Sequence, residues 1–302
     1  MTPPVSDAGV AGWVRGLGLD GLVDLHVHFL PEPVMRKVFA YFDDAEQHYG
    51  VPWPVHYRLP EDERLEVLRK LGVLRFAPLV YPHKPGMARW LNEWVREFAA
   101  REPDAVPTAT LYPEPGVTAY IEEALRAGAR CVKVHVQVGG FDPRAASLDA
   151  AWGLLADAGV PVVVHCGHGP LRGKFTGLDV FAEVLSRHPQ LVAVLAHAGM
   201  PDYTAAVDLL HRFPSTYLDT TMVGPPFGQR LAPLPVDWPA RLVDVQHRVA
   251  LGTDFPNIPH SYATQLRAIA QWAEADERLG EPFLRAVLHD TPQALLSGVS
   301  GR

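Results

Sequence analysis

The sequence alternates apolar, strand-like segments with helical segments eight times, and this alternation constrains the fold more than any other feature. Alternating strands and helices predict a parallel sheet, because each crossover helix returns the chain to the same end of the sheet. Eight such units in 302 residues match one closed (β/α)8 barrel. The predicted strands are the apolar opening strand within residues 21–31 and the segments 73–81, 105–112, 131–138, 160–166, 191–197, 215–222 and 248–255.

An open, doubly wound sheet is the alternative architecture for such a pattern. That fold would need a switch point, and no G-x-G-x-x-G turn follows the first strand. We therefore expect an α/β TIM barrel. No linker divides the chain, so we expect a single domain over residues 1–302, with a small helical insertion at about 32–60 after the first strand.

Charge and composition exclude several classes of partner. The net charge is -7 and no Lys/Arg-rich run is present, which argues against nucleic-acid and anionic-membrane surfaces. No segment approaches the 18 apolar residues of a membrane span, and no signal-peptide pattern precedes the first strand. The two cysteines, Cys131 and Cys166, are too few for a disulfide framework. We expect a cytoplasmic protein with reduced thiols and a small-molecule substrate.

The opening strand carries two histidines near its end. Side chains alternate faces along a strand, so Asp24, His26 and His28 point the same way. Two imidazoles on one face can chelate a metal ion. In a chain with 14 histidines, an isolated His-x-His is also typical of surface or core residues, so this pair alone does not decide.

Three further strands end in residues that could bind the same ion. His165 ends the fifth strand, His197 the sixth and Asp254 the eighth, and each is followed within three residues by Gly or Pro. Active sites of such barrels lie where strands end. Packing would fill these positions with aliphatic residues, because buried imidazole and carboxylate groups are costly unless paired or metal-bound. The sequence therefore predicts a divalent metal site at the mouth of the barrel.

These residues, with Leu30-Pro31 and Gly252-Thr253-Asp254, make the chain resemble the amidohydrolase superfamily. The resemblance runs from Val23 to about Leu296 and is closest to the amidohydrolase-related branch that includes aminocarboxymuconate-semialdehyde decarboxylase. It implies a distorted (β/α)8 barrel with a divalent metal. It also implies residue roles: His26, His28, His165 and Asp254 as metal ligands, and His197 as a group that polarises the substrate and is a direct or indirect metal ligand.

The fourth strand leaves the number of metal ions open. Cys131, Lys133, His135 and Gln137 share one face of this predicted strand. Relatives with two metals carry a carboxylated lysine here, and Lys133 is placed for that role. It could instead pair with Asp254 or bind a substrate carboxylate. Since members of this branch commonly hold one metal, we expect one ion rather than two.

The predicted ligands favour Zn2+, with Mn2+, Fe2+ or Co2+ as alternatives. A metal-activated water would attack an amide, ester or lactone, Asp254 would move the proton, and His197 would stabilise the developing oxyanion. Non-oxidative decarboxylation and hydration of a double bond are alternatives that the same ligands allow. Lys133, as a possible catalytic group, favours hydrolysis. A barrel that only binds ligands is disfavoured because every ligand position is filled.

The loop after the fifth strand carries His168, Arg172 and Lys174, which together with His135 would bind a carboxylate-bearing substrate. A solvated basic loop is an equally good interpretation. The aromatic segment after the first strand, with Phe39, Tyr41, Phe42 and Trp53, is either a lid over the site or a contact of a homodimer.

Overall fold

The computed structural model describes residues 2–297, and all strand pairs in that part of the chain are parallel. The strands alternate with helices, as the sequence predicts. They are β1 Leu22–Val27, β2 Val73–Pro78, β3 Thr108–Thr110, β4 Cys131–His135, β5 Val162–His165, β6 Ala193–Leu195, β7 Thr216–Asp219 and β8 Val249–Ala250.

The strands form a closed ring. β1 pairs with β2, and β3 to β8 pair consecutively in one sheet. A parallel bridge between Phe76 and Ala105 joins the two sheets on one side. On the other side Val27 bridges to Phe255, and the amide of Leu25 donates to the carbonyl of Leu251 at 2.9 Å. The prediction of a (β/α)8 barrel is confirmed.

Helices surround this ring and cap its ends, and none among residues 2–297 is long and apolar enough to cross a membrane. The helices are α1 Val10–Gly16, α2 Glu32–Asp43, α3 Ala45–Tyr49, α4 Glu61–Leu71, α5 Met87–Arg101, α6 Val117–Arg126, α7 Val136–Gly139, α8 Ala146–Ala158, α9 Leu178–Arg187, α10 Tyr203–Arg212, α11 Pro226–Leu231, α12 Trp238–Leu242, α13 Tyr262–Ala275, α14 Gly280–Arg285 and α15 Thr291–Ser297. The insertion predicted at about 32–60 contains α2 and α3, which are separated at Asp44.

The inner face of the barrel changes from apolar to polar along the strands. Cys131 and Val163 belong to a buried apolar cluster that includes Leu295 and Leu296 of α15. Because strand side chains alternate, Lys133 and His165 lie on the same inner face. They are two residues nearer the carboxyl ends of their strands than Cys131 and Val163. Apolar packing therefore fills one end of the barrel and leaves polar groups at the other.

The strands β2 to β8 all end earlier than the sequence predicts, and the early ends of β4, β6 and β8 move candidate site residues off the strands. β4 stops at His135, where α7 begins, so Gln137 lies on a helical turn rather than on the strand face shared by Lys133. The ring of His135 accepts a hydrogen bond from the amide of Val138 and caps this turn. β6 stops at Leu195, and His197 lies in a short 3-10 turn. Hydrophobic periodicity does not report such turns, because four residues are too few to show a helical period.

Candidate metal centre

Three side chains from opposite ends of the chain bring ligand atoms together at the carboxyl end of the barrel. His26 Nε2, His28 Nε2 and an oxygen of Asp254 form a group whose atoms all lie within 4.8 Å of one another. Asp254 Oδ1 is 2.8 Å from His28 Nε2 and 3.6 Å from His26 Nε2. Two imidazoles and a carboxylate in this arrangement are a typical set of transition-metal ligands.

Hydrogen bonds assign the tautomers of the two histidines. His28 Nδ1 lies 2.8 Å from the carbonyl oxygen of Leu79, and His26 Nδ1 lies 2.8 Å from Asp219 Oδ2. Both partners can only accept, so both Nδ1 atoms carry the hydrogen, and in the neutral rings both Nε2 atoms present a lone pair. Such outer hydrogen bonds typically orient histidine ligands of metals.

This geometry fits a cation. His28 Nε2 and Asp254 Oδ1 face each other at 2.8 Å, and this contact requires a positive charge between or beside the two atoms: either a proton on Nε2 or a metal ion that both atoms ligate. Burial lowers the pKa of His26 to about 3, so this imidazole is neutral at pH 7. Burial alone would raise the pKa of Asp254, but the hydrogen bond and charge of His28 hold it well below its usual range.

Lys133 supplies one positive charge at this point. Its Nζ lies 2.9 Å from His26 Nε2, and the side chain is fully buried. Burial lowers the pKa of Lys133 to about 8, although Asp219 and Asp254 favour the charged form. The sequence left open a carboxylated bridge, a pair with Asp254 and a contact with a substrate carboxylate; the contact in the structure is with the nitrogen of a candidate ligand, His26.

His165 lies in the same cavity but outside the group of three ligand residues. Its Nε2 lies 2.8 Å from the carbonyl of Gly169, and its ring stacks on His135 with centroids 4.1 Å apart. Burial lowers the pKa of His165 and of His135 well below the usual value, so both rings are neutral. Ligation by His165 remains a prediction.

His197 and Asp254 are held in unusual backbone conformations. Their φ angles are 55° and 70°, in the left-handed region that non-glycine residues rarely adopt. The amide of His197 donates to Asp219 Oδ1 at 2.8 Å, and its ring centroid lies 5.5 Å from that of His26. Residues held in such conformations cluster at functional sites, because the surrounding structure must stabilise them.

A cavity of about 790 Å³ opens above these residues. His26, His28, Lys133, His197 and Asp254 all line it. Its walls are mostly apolar and come largely from the insertion and from the segment between β2 and α5. Tyr41, Phe42 and Trp53 belong to these walls, so the aromatic insertion covers one side of the candidate site.

The three predicted substrate-binding residues of the β5–α9 loop lie away from the cavity. Arg172 and Lys174 are exposed, and neither they nor His168 line it. Lys174 rests on the ring of Phe175, and His168 Nδ1 lies 2.9 Å from Thr176 Oγ1. His135 does line the cavity. Cationic residues elsewhere, Lys37 and Lys84, line it instead.

Sequence reasoning missed two buried residues of this site. Asp219 is fully buried and accepts hydrogen bonds from the amides of His197 and Thr221 as well as from His26. Asp219 is the last residue of β7, and a carboxylate at a strand end is the same signal that identified the other candidate site residues. Asn257 lines the cavity, is 2% exposed, and its Oδ1 has no hydrogen-bond partner among residues 2–297. It follows Asp254 in the same loop.

Gly252 explains why the eighth strand can approach the first so closely. A Cβ atom at this position would lie 2.5 Å from Thr221 Oγ1 and 2.8 Å from His26 Cβ. Any side chain would displace His26, so the Gly252-Thr253-Asp254 segment combines close backbone approach with delivery of the Asp254 carboxylate.

Solved structures with this fold cover nearly the whole chain. An uncharacterised TIM-barrel protein from Bordetella bronchiseptica is 18% identical, with a TM-score of 0.68, over 92% of this chain and 98% of its own. The 5-carboxyvanillate decarboxylase LigW from Sphingomonas paucimobilis is 14% identical, with a TM-score of 0.62, over 93% and 100%. A 5-carboxyvanillate decarboxylase from Novosphingobium aromaticivorans, complexed with manganese and 4-hydroxy-3-methoxy-5-nitrobenzoic acid, is 14% identical, with a TM-score of 0.63, over 98% and 99%.

At these identities the structural likeness shows the fold alone. No curated protein matches the sequence. The family model described as "Amidohydrolase" matches residues 23–297, which is almost the full length and includes each of the three ligand residues that the structure brings together. The chain therefore belongs to the amidohydrolase family.

Proposed function

We propose that this protein is a metal-dependent hydrolase that cleaves an amide, ester or lactone bond of a small, carboxylate-bearing substrate. The observation that carries the proposal is the convergence of His26 Nε2, His28 Nε2 and Asp254 Oδ1 at the floor of a large cavity, beside the amine of Lys133. Membership of the amidohydrolase family supports the same class of reaction.

We propose one divalent ion, most simply Zn2+, held by His26, His28 and Asp254, with His165 as a further ligand. Mn2+, Fe2+ or Co2+ also suit imidazole and carboxylate donors. When bound, the ion would supply Lewis acidity and lower the pKa of water toward neutrality. A single ion is favoured because one group of three candidate ligand residues converges among residues 2–297.

The protein groups would then divide the proton transfers and the charge stabilisation between them. Asp254 stays ionised at neutral pH, because its pKa lies well below the usual range, and its carboxylate can accept a proton from water and pass it to the leaving group. His197 lines the cavity beside the ring of His26, where it can hydrogen-bond an oxygen that gains negative charge. The neutral amine of Lys133 can donate a hydrogen bond in the same place.

Decarboxylation of an aromatic acid is the second candidate, and hydration of an unsaturated acid is a variant of it. The predominantly apolar walls of the cavity favour an aromatic or unsaturated ligand. The two 5-carboxyvanillate decarboxylases share the fold, and one of them is complexed with manganese and a nitrobenzoic acid. Only the substrate distinguishes these reactions, since the proposed ligand residues serve either.

The experiment that separates the candidates uses protein loaded with Zn2+ or Mn2+ in water enriched in 18O. Lactones, esters and amides are screened together with aromatic and unsaturated carboxylic acids. The hydrolase proposal predicts 18O in the product carboxylate without CO2. Release of CO2 without incorporation of 18O would overturn it in favour of the decarboxylase.

Other expectations remain predictions. They are the single domain over residues 1–302, the cytoplasmic location, the absence of a nucleic-acid partner and a homodimer. Size-exclusion chromatography with light scattering would test the dimer directly.

A further inference from the structure

The rim of the cavity carries two lysines that the proposed chemistry does not use. Lys37 lies on α2 of the insertion, and Lys84 lies between β2 and α5. Both are exposed, whereas His26 at the floor is fully buried. The two elements therefore present positive charge at the open end of a cavity whose candidate chemistry lies at the closed end.

Both lysines are free to bind an anion. Neither forms an ion pair within 4.0 Å in the described part of the chain, residues 2–297. Within that part, Asp254 is also the only carboxylate that lines the cavity, and it lies at the floor. The pKa of His83 is lowered by burial and by the positive charges of Lys84 and Lys37, so both ammonium groups act on this one imidazole. The rim is therefore electropositive.

The walls between rim and floor are apolar and aromatic. Trp90 and Tyr41 both line the cavity, and each is 44% exposed. Trp90 follows Lys84 by six residues, and Tyr41 lies one helical turn after Lys37. Large aromatic side chains left this exposed beside a cavity provide contact area for a ligand. A volume of about 790 Å³ lies within the range of sites for drug-sized ligands, about 300–1,000 Å³.

We propose that Lys37 and Lys84 form an anion-binding rim, so that the cavity takes an elongated, largely aromatic molecule with a negative charge at the end remote from the candidate metal centre. The inference rests on the proposed function only in treating this cavity as the substrate site. It assigns the recognition of the anion to the insertion and the β2–α5 segment, rather than to the exposed Arg172 and Lys174.

A pair of fluorescent ligands that differ by one anionic group tests the proposal without any turnover. 1-Anilinonaphthalene-8-sulfonate and N-phenyl-1-naphthylamine share the same two aromatic parts, and only the first carries a sulfonate. Both should bind the wild-type protein. The double variant Lys37→Gln/Lys84→Gln should weaken binding of the sulfonate by roughly 3- to 10-fold, in line with two exposed charge contacts, and leave the neutral ligand within about twofold.

Two control variants make the result specific. Lys70→Gln removes an exposed lysine of α4, which pairs with Glu66 and lies outside the cavity. It should change the binding affinity of neither ligand. Trp90→Ala should weaken both ligands, because it removes apolar wall area that they share. Raising the salt concentration should weaken the binding of the sulfonate ligand but not of the neutral one, and only in proteins that retain Lys37 and Lys84.

Three results would overturn the proposal. They are equal losses for both ligands in the double lysine variant, no loss for the sulfonate in that variant, and no effect of Trp90→Ala on either ligand. Because the measurement needs neither metal nor turnover, it is independent of the proposed reaction. A protein that binds no metal on reconstitution with Zn2+ or Mn2+ but still distinguishes the two ligands would refute the proposed function and support the anion-binding rim.

Discussion

Asp219 Oδ2 lies 2.8 Å from His26 Nδ1, and both side chains are fully buried. The carboxylate fixes the tautomer of the histidine and directs its Nε2 toward Asp254 and Lys133. Burial alone would raise the pKa of Asp219, but the contact with His26 lowers it to about 2, so Asp219 remains an ionised acceptor. The seventh strand therefore organises a ligand that the first strand supplies.

Asp219→Asn tests this organising role. The amide can no longer hold the His26 hydrogen in the same way, so we expect zinc affinity to fall by about 10- to 100-fold. Asp208→Asn, at an exposed position on α10, is the matched control and should leave affinity unchanged. Competition with a fluorescent zinc chelator measures both. Equal affinities for the two variants would show that the contact with His26 is not required.

Asp254→Asn separates proton transfer from metal binding. An amide oxygen can still ligate a metal but cannot accept the proton, and a positioned general base typically contributes about 10²–10⁴-fold. We expect turnover to fall at least 100-fold while bound metal is retained. His26→Ala should instead lose both metal and turnover. The two variants are compared by metal analysis and by initial rates on whichever substrate the screen identifies, and near-wild-type rates in either would mean that the site is misplaced.

The pH dependence of metal affinity should report Lys133. Its ammonium, 2.9 Å from His26 Nε2, opposes a second cation, and its pKa is about 8. Below pH 8 the lysine is charged and must lose a proton when metal binds, so affinity should rise about tenfold per pH unit toward 8 and then level off. His26 and Asp254 add no slope, because their pKa values lie far below this range.

Lys133→Met provides the comparison for that measurement. Zinc affinity is determined from pH 6.5 to 8.5 in both proteins with the same competing chelator. The variant should bind more tightly at pH 6.5 and show a flatter profile. A wild-type profile that is already flat, or an identical slope in the variant, would remove Lys133 from the account.

The fold and the convergence of the candidate ligand residues could be predicted from the sequence for one reason: a buried strand that ends in a polar residue is visible as a pattern. His28 and Asp254 each follow such a strand, and barrel closure brings them together. The turn geometry could not be predicted. The left-handed φ of His197 accompanies a hydrogen bond from its amide to Asp219 on another strand, and the early end of β4 accompanies a cap that His135 makes on Val138. Neither contact is visible in hydrophobic periodicity.

The residues predicted to bind the substrate show more clearly what the sequence pattern does not report. Arg172 and Lys174 are close in sequence to His165, and that proximity suggested a role at the mouth. In the structure the loop directs them to the surface, while Lys37 and Lys84, far away in sequence, reach the cavity. Side-chain direction in loops follows local backbone geometry, which periodicity does not encode.

The insertion is also tied to the barrel by a specific contact. Trp53 Nε1 donates to the carbonyl of Asn257 at 2.7 Å, which links one cavity wall to the loop that carries Asp254. Trp53→Phe leaves this buried carbonyl without its donor, so we expect the free energy of unfolding to fall by about 1–3 kcal/mol. Trp90→Phe, at a half-exposed position, should change it by less than about 0.5 kcal/mol. Urea denaturation measures both, and equal effects would contradict the linking role.

The central claim is that His26, His28 and Asp254 hold one divalent metal ion. The most direct test is elemental analysis of the purified protein, before and after reconstitution with Zn2+ and Mn2+, beside the His26→Ala/His28→Ala variant. We expect close to one equivalent of metal in the wild-type protein and less than a tenth in the variant. Less than a tenth of an equivalent in the reconstituted wild-type protein, or equal metal content in both proteins, would contradict it.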